Sequence, residues 1–167
     1  MRPSASAVSS ALAASATRRR QPGPPRGMGR EWVAALAGVP LFAGLSQRQL
    51  RSIARLAEQV QVPAGAPVVF RAAPGSEFFV ILDGTAVAGP PTREQHHLGQ
   101  GDFFGEMSVI DGRPRSAAVR AETDLTLMVL GRSAFLRLLR EQPSVGIAVM
   151  TELAARVRRL EAATSRS

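Results

Sequence analysis

The chain has 167 residues, which suits one domain with tails and is short for two full domains. It contains neither Cys nor Lys, which excludes disulfides, thiolate metal sites, a cysteine nucleophile, a Walker-type phosphate lysine and a Schiff-base lysine. The net charge of +8 comes mainly from residues 1–30, which hold six Arg and no acid, whereas the remainder is nearly neutral. That remainder offers no electrostatic footprint for duplex DNA, and no segment is long and apolar enough to span a bilayer.

Residues 1–30 are predicted to form a disordered tail, because Pro and Gly crowd positions 22–27. Their Arg-rich, acid-free composition is also loosely like an organellar transit peptide. The run from Arg18 to Arg20 leaves open a rival function, in which the tail contacts nucleic acid or an anionic membrane. Abundant Arg and Ala without Lys indicate a GC-rich, bacterial genome, so we expect a cytoplasmic protein.

Two helices are predicted ahead of a β-rich region. Residues 31–37 favour a short helix that ends near a Gly and a Pro. Ser46 and Gln49 have the spacing of a capping box, in which the Ser hydroxyl accepts from the Gln49 amide and the Gln side chain reaches back. Apolar residues then recur at helical spacing, which predicts a second helix over residues 47–58.

The pattern changes between residues 60 and 130, where short β-rich runs alternate with Gly and Pro turns. Asp83-Gly84 between two apolar runs is a strong hairpin signal. Many short strands at regular spacing are typical of a compact antiparallel sandwich or barrel. The predicted strands cover residues 60–62, 68–70, 78–82, 85–88, 117–121 and 125–130.

Helical periodicity returns after residue 131. Residues 133–140 are predicted to form one helix, and Pro143 separates it from a longer helix over 144–163. The longer helix carries an apolar stripe at 3-4-3 spacing, formed by Met150, Leu153, Val157 and Leu160. The stripe could form a homodimer, close over a ligand as a lid, or cover the domain's own core; we favour the homodimer.

The predicted fold class is therefore α+β and mainly β, an antiparallel β-roll or jelly roll flanked by N-terminal helices and a long C-terminal helix. We divide the chain into the tail over 1–30, a domain over 31–143, the helix over 144–163 and a short tail over 164–167.

A segment between the fourth and fifth predicted strands carries the candidate ligand chemistry. Gly105 lets the backbone approach a ligand closely or adopt a positive φ. Residues 106–110 can form one helical turn whose free amides point at a negative group. Arg115 precedes a strand, where its guanidinium could form two parallel hydrogen bonds to phosphate oxygens, and Ser116 could add a donor. Glu106 suits a sugar hydroxyl, which acidic residues bind in dinucleotide sites.

This segment resembles the phosphate-binding cassette of the cyclic-nucleotide-binding domains in the catabolite activator protein, protein kinase A regulatory subunits and cyclic-nucleotide-gated channels. The family pattern is Phe-Gly-Glu, a short helix, then Pro-Arg before small residues and a strand, matched here by Phe104-Gly105-Glu106 and Pro114-Arg115-Ser116-Ala117. The resemblance, which extends over about residues 39–163, implies that Arg115 binds the cyclic phosphate and Glu106 the ribose 2′-hydroxyl. The candidate ligand-binding set is Phe104, Gly105, Glu106, Met107, Arg115, Ser116 and Ala117.

Simpler interpretations of these residues are also open. Arg115 could be an ion-pair partner of Glu106, and Glu106 could be a helix N-terminal acid stabilised by the dipole. We interpret Arg113 as a solvated loop residue. His96 and His97 invite comparison with a cupin metal site, but adjacent strand residues point to opposite faces, so no metal site is predicted.

The resemblance implies a bound ligand and no separate cofactor. No nucleophile–base pair or metal-ligand cluster suggests catalysis, so we predict a sensor, not an enzyme, that changes shape and acts through an unidentified protein effector. In the family a Thr after the cassette Arg often accompanies cGMP, whereas Ser116 is similar to the Ser of the catabolite activator protein, so cAMP is predicted over cGMP. No DNA-binding domain is expected after the last helix. The alternative is a degenerate domain that serves as a nucleotide-independent dimerisation or interaction module.

Overall fold

The computed structural model describes residues 19–21 and 29–166. Its helical elements are α1 Gly29–Ala37, a 3-10 turn Pro40–Phe42, α2 Gln47–Leu56, α3 Glu106–Asp111, α4 Arg132–Glu141 and α5 Pro143–Thr164. The capping box predicted at the start of α2 is confirmed. Gln49 N donates to Ser46 Oγ at 3.2 Å, and Ser46 N donates to Gln49 Oε1 at 2.7 Å.

The described strands form two antiparallel sheets. The strands are β1 Arg19–Gln21, β2 Glu58–Val62, β3 Pro67–Val69, β4 Glu77–Asp83, β5 Ala86–Ala88, β6 His96–Leu98, β7 Phe103–Phe104, β8 Val119–Ala121 and β9 Leu125–Gly131. The larger sheet has the order β1-β2-β9-β4-β7 and the smaller one β3-β8-β5-β6. The predicted fold class, an antiparallel β-roll between N-terminal helices and a long C-terminal helix, is confirmed.

Strands β4 and β9 of the larger sheet are buried on both faces, and successive side chains of β4 point alternately into two cores. Phe78 enters the core shared with the helices and stacks on Phe135, with ring centroids 4.2 Å apart. The next residue, Phe79, enters the core between the two sheets and stacks on Phe104 at 4.8 Å. Strand β7, which ends at Phe104, therefore leads the chain directly out of the inter-sheet core into the candidate cassette.

Two short strands were missed by the sequence prediction. β6 begins with two His and β7 has two residues, so neither shows a hydrophobic period. The strand predicted over 117–121 begins only at Val119, because the backbone just before it pairs with a loop. Arg115 N donates to Ala73 O, and Ala72 N donates to Arg115 O, both at 2.9 Å.

The prediction of a disordered tail falls mostly outside the described residues. Within them, Arg19–Gln21 pairs with β2 as strand β1, and α1 already begins at Gly29, which differs from the predicted disorder through residue 30. The edge of β2 supplies the physical reason. Its free backbone N–H and C=O groups can pair with any adjacent extended chain, whatever side chains that chain carries.

Helix α5 continues beyond the residues that pack on the domain. Of the predicted stripe, Met150, Val157 and Leu160 are exposed, at 61 %, 53 % and 69 %. Leu153 is half-buried against the core shared with the helices, so the stripe is divided between two faces. Ile147, which is 59 % exposed, joins the outward-facing set. Within residues 19–21 and 29–166, no helix is long and apolar enough to cross a membrane.

Candidate functional site

The candidate cassette begins where β7 ends and the chain turns at Gly105. This residue has a φ of 86°, and a Cβ there would lie 2.7 Å from Arg115 Nη1 and 2.8 Å from Glu77 O. Both the backbone conformation and the lack of space therefore require glycine. Helix α3 begins at Glu106 and closes at Gly112, whose φ of 72° gives the left-handed cap that ends the helix.

Arg115 is buried although it carries a charge. It is 6 % exposed; Nη1 donates to Gly105 O at 3.0 Å and Nη2 donates to Glu77 O at 2.8 Å. The Phe79 ring centroid lies 5.5 Å from Cζ, within cation–π range. Burial lowers the pKa of Arg115, and the charges of Glu77 and Glu106 oppose that shift. The guanidinium stays protonated and keeps further N–H donors for an anion.

The loop between β3 and β4 covers this guanidinium. Gly75 lies so close that a Cβ would be 2.5 Å from Arg115 Nε and 2.7 Å from Cζ. Ala72 and Ala73 of the same loop pair with the Arg115 backbone, and Ala72 has a positive φ of 63°, which is strained for a residue with a side chain. Arg115 is thus fixed from two sides, by the cassette and by the loop.

Glu106 is fully buried and forms an ion pair with Arg156 of α5. Arg156 Nη1 donates to Glu106 Oε1 and Nη2 donates to Phe103 O at 3.3 Å, while Glu152 Oε1 lies 3.3 Å from Arg156 Nε. The alternative ion pair of Glu106 with Arg115 is not formed. Burial raises the pKa of Glu106, and Arg156 pulls it down. The other oxygen, Oε2, is buried and accepts no hydrogen bond from the described residues.

The remaining predicted site residues divide between surface and core. Ser116 and Met107 are exposed beside each other, and the Ser116 hydroxyl lies 3.8 Å from the Met107 sulfur. Ala117 is half-buried. Phe104 is buried and stacked on Phe79, so its ring supports the cassette from within the core. Direct ligand contact by the Phe104 ring stays a prediction.

Three residues set aside by the sequence analysis lie at the surface. Arg113 is exposed, as predicted. His96 and His97 are exposed on β6, and His97 Nδ1 lies 3.1 Å from Glu122 Oε1. Across the described part of the chain, no three side chains of His, Asp or Glu come together as a metal site would require.

Sequence reasoning missed two residues that shape the site. Arg156 is 50 residues from Glu106, and none of the motifs described in the sequence analysis includes it. Gly75 belongs to a Pro-Gly turn signal, which predicts a turn without indicating what the glycine faces. No local signal would have identified Arg156, because its role depends on how α5 packs against the cassette.

Comparison with known proteins adds evidence from outside the chain. A family model described as the cyclic nucleotide-binding domain matches residues 59–142. The cAMP-dependent protein kinase regulatory subunit of Aspergillus fumigatus is 36 % identical over 116 residues, covering 66 % of this chain and 27 % of that protein. The chain spans less than a third of the length of the curated relatives that it matches.

Solved structures agree with the described fold. A solved structure of Sp-2Cl-cAMPS bound to PKAR CBD2 has a TM-score of 0.70 and 22 % identity, covering 83 % of this chain and 95 % of that one. The catabolite activator protein of Thermus thermophilus has a TM-score of 0.66 and 27 % identity, covering 75 % of this chain and 62 % of that one. Because the structure of PKAR CBD2 is only 22 % identical to this chain, its similarity supports the fold alone.

Proposed function

This chain belongs to the cyclic nucleotide-binding domain family, and from that premise we propose that it is a non-catalytic sensor that binds cAMP in preference to cGMP. The binding site lies within the cassette, and its proposed ligand-binding residues are Phe104, Gly105, Glu106, Met107, Arg115, Ser116 and Ala117. The observation that carries the proposal is the pair of buried, oppositely charged residues in this cassette, Arg115 and Glu106, which both keep hydrogen-bonding capacity for a ligand. A cytoplasmic location stays a prediction from composition.

Arg115 supplies the positive charge that a cyclic phosphate needs. A guanidinium has about five N–H donors, and its two bonds to backbone carbonyls leave the others for a ligand. Phosphate oxygens accept such donors in parallel pairs, and these bonds are strong because both partners are charged. Burial still lowers the pKa of Arg115 despite the charges of Glu77 and Glu106, so these acids offset only part of the hydration that the guanidinium loses. A bound cyclic phosphate would offset more of that loss.

Glu106 supplies an acceptor for the sugar. An ionised carboxylate can only accept hydrogen bonds, so the partner of its buried Oε2 must be a donor such as the ribose 2′-hydroxyl. The other oxygen is neutralised by Arg156. This neutralisation reduces the repulsion between the carboxylate and a nearby cyclic phosphate, which would otherwise be strong in a buried site.

The preference for cAMP depends on Ser116. The family resemblance associates a Thr at this position with cGMP, and this chain has the shorter hydroxyl residue. The similar Aspergillus fumigatus protein is named as cAMP-dependent. An affinity for cGMP at least tenfold higher than for cAMP, in direct titrations of both nucleotides, would contradict this preference.

The role of Glu106 is tested by titrating cAMP and its 2′-deoxy analogue calorimetrically into wild-type protein and Glu106→Gln. We expect Glu106→Gln to weaken cAMP binding about tenfold, because a hydrogen bond to a charged acceptor becomes one to a neutral acceptor. The 2′-deoxy analogue should bind the wild type more weakly than cAMP does. It should lose little more affinity in the variant, since it has no 2′-hydroxyl.

The matched control is Asp111→Asn, which neutralises an exposed acid at the other end of the same helix. Its affinities for both ligands should stay at the wild-type values. Equal losses for cAMP and the deoxy analogue in Glu106→Gln would argue against a ribose contact. Absence of binding of any cyclic nucleotide to folded wild-type protein would instead favour the alternative, a nucleotide-independent interaction module.

We propose that the captured nucleotide signals through α5. Glu106 is the first residue of the cassette helix, and its ion pair with Arg156 joins that helix to α5 directly. A ligand that binds Glu106 changes the strength of the ion pair with Arg156, so α3 and α5 change position together. The repositioned α5 then presents a different surface to a protein effector, which the chain itself does not identify.

The outward-facing side of α5 suits a second copy of this chain. Ile147, Met150, Val157 and Leu160 are all more than half exposed and recur at spacings of three and seven residues. A seven-residue repeat of apolar positions is the pattern by which two helices pack as a coiled coil. We therefore propose a homodimer through these residues, with Leu153 turned to its own domain.

Leu160→Asp should raise the dimer dissociation constant at least about tenfold, because the substitution places two like charges near each other in an apolar contact. Size-exclusion chromatography with light scattering over a concentration series measures this shift. Arg158→Ala, an exposed neighbour off the apolar positions, should dimerise like the wild type. A wild-type protein that stays monomeric at the highest concentrations would rule out the dimer.

A further inference from the structure

Helix α3 is held at its C-terminal end by the first residue of α4. We infer that Arg132 is a positioning residue that fixes the cassette helix against α4 and so keeps the candidate site in a binding-competent shape; its effect on nucleotide affinity rests on the proposed function. Arg132 Nε donates to Val109 O at 2.9 Å, in the last turn of α3. Its backbone N donates to Ser76 O at 2.8 Å.

A six-residue helix needs such an outside partner. Short helices are marginal on their own, since few internal hydrogen bonds repay the ordering of the chain. The last carbonyls of any helix also lack internal partners, and a cation beside them is favourable. Gly112 ends α3, and its amide donates to Ser108 O at 2.9 Å. The Arg132 guanidinium donates to the neighbouring carbonyl of Val109.

The two bonds of Arg132 reach both structures that surround Arg115. The side chain holds α3, and the main chain holds Ser76, which follows Gly75 in the loop that covers the Arg115 guanidinium. One residue thereby sets the loop and the cassette helix relative to α4. Beneath this polar contact, Val109 belongs to the same buried cluster as Phe135 of α4.

The same arrangement extends to α5. Phe135 and Leu138 of α4 share their buried cluster with Val145 and Val149 of α5. A displacement of α3 that passes through Arg132 therefore reaches α5 by a route separate from the Glu106 ion pair. Loss of the Arg132 side chain should loosen α3 while leaving the backbone bond to Ser76 in place.

The test compares Arg132→Ala, Arg132→Lys and Arg137→Ala by amide hydrogen exchange without nucleotide. Arg137→Ala is the matched control, since Arg137 is an exposed residue of the same helix that pairs with Glu141. We expect the Gly112 amide and its neighbours in α3 to exchange roughly tenfold faster in Arg132→Ala only, because a charge-assisted bond is lost. Arg132→Lys, which keeps a cationic donor, should restore most of the protection.

Titration of cAMP into the same variants completes the test. Arg132→Ala should bind about tenfold more weakly, and Arg132→Lys should recover most of that loss. Unchanged exchange in α3 of Arg132→Ala, or an equal increase in Arg137→Ala, would overturn the positioning role. Faster exchange in Arg132→Ala together with a wild type that binds no cyclic nucleotide would uphold that role for α3 and reject the proposed function instead.

Discussion

Replacing Arg115 with alanine should lower the affinity for cAMP at least about a hundredfold, because the ligand loses a buried, charge-assisted phosphate contact. The guanidinium is enclosed by the Gly105 and Glu77 carbonyls and by Gly75, so no other described cation reaches the same place without rearrangement. Arg115→Lys keeps the charge but loses the planar donor pair, and it should fall between alanine and wild type. Isothermal titration at fixed salt measures all three.

Arg113→Ala provides the control, because this exposed residue lies two positions away in the same loop. It should bind cAMP as the wild type does. Since Arg115→Ala also leaves two carbonyls without their donor, thermal melts must show that each variant is folded before the affinities are compared. A folded Arg115→Ala protein with wild-type affinity would remove Arg115 from the binding site.

Arg156→Ala should lower the free energy of unfolding by about 3 kcal/mol at neutral pH. Removing one partner of a buried ion pair leaves the other charge uncompensated, and the loss is at the low end here because 26 % of the Arg156 side chain is exposed. The effect of Arg156→Ala on stability should depend on pH. Burial raises the pKa of Glu106 above its usual 4.5. Protonated Glu106 therefore favours the folded state fully below pH 4.5, and this contribution to stability is lost as the pH rises through the raised pKa.

Arg156 lowers the pKa of Glu106, so this pKa rises further in Arg156→Ala. The loss of folding stability with increasing pH then extends to higher pH and becomes larger in the variant. The stability deficit of Arg156→Ala relative to wild type should therefore be small near pH 4.5 and largest at neutral pH and above. Urea unfolding across this range measures it. Arg158→Ala, an exposed Arg of the same helix, should show no such pH dependence. A deficit that stays constant with pH would mean that Glu106 titration is not its source.

Local sequence patterns predicted the elements that have a helix-capping motif or a run of regularly spaced apolar residues. The Ser46 and Gln49 spacing predicted the start of α2, and the apolar run over residues 78–82 predicted the strand observed as β4. His96–Leu98 and Phe103–Phe104 form strands through pairing with β5 and β4, which their own sequences do not indicate. Such short strands are determined by their neighbours, so single-sequence periodicity cannot find them.

The candidate cassette was also predicted only in part: its local backbone was predicted, but its contacts with distant residues were not. Gly105 has the positive φ anticipated for it, and a short helix follows as predicted. The partner of Glu106 could not be predicted, because Arg115 was near in sequence whereas Arg156 was brought in by the packing of α5. Leu153 was grouped with the outward stripe on spacing alone, yet it packs on its own domain. Spacing along a helix defines neighbours on its surface, but the surrounding elements decide which neighbours are covered.

Strand β1 affects how shortened forms of this protein would behave in solution. Arg19–Gln21 occupies the outer edge of β2, which is otherwise the last strand on that side of the larger sheet. A fragment that begins at Gly29 would leave this edge open to strands from other molecules, and open edges promote aggregation. Precipitation of such a fragment would therefore reflect an unprotected sheet edge, even if its cassette and core were intact.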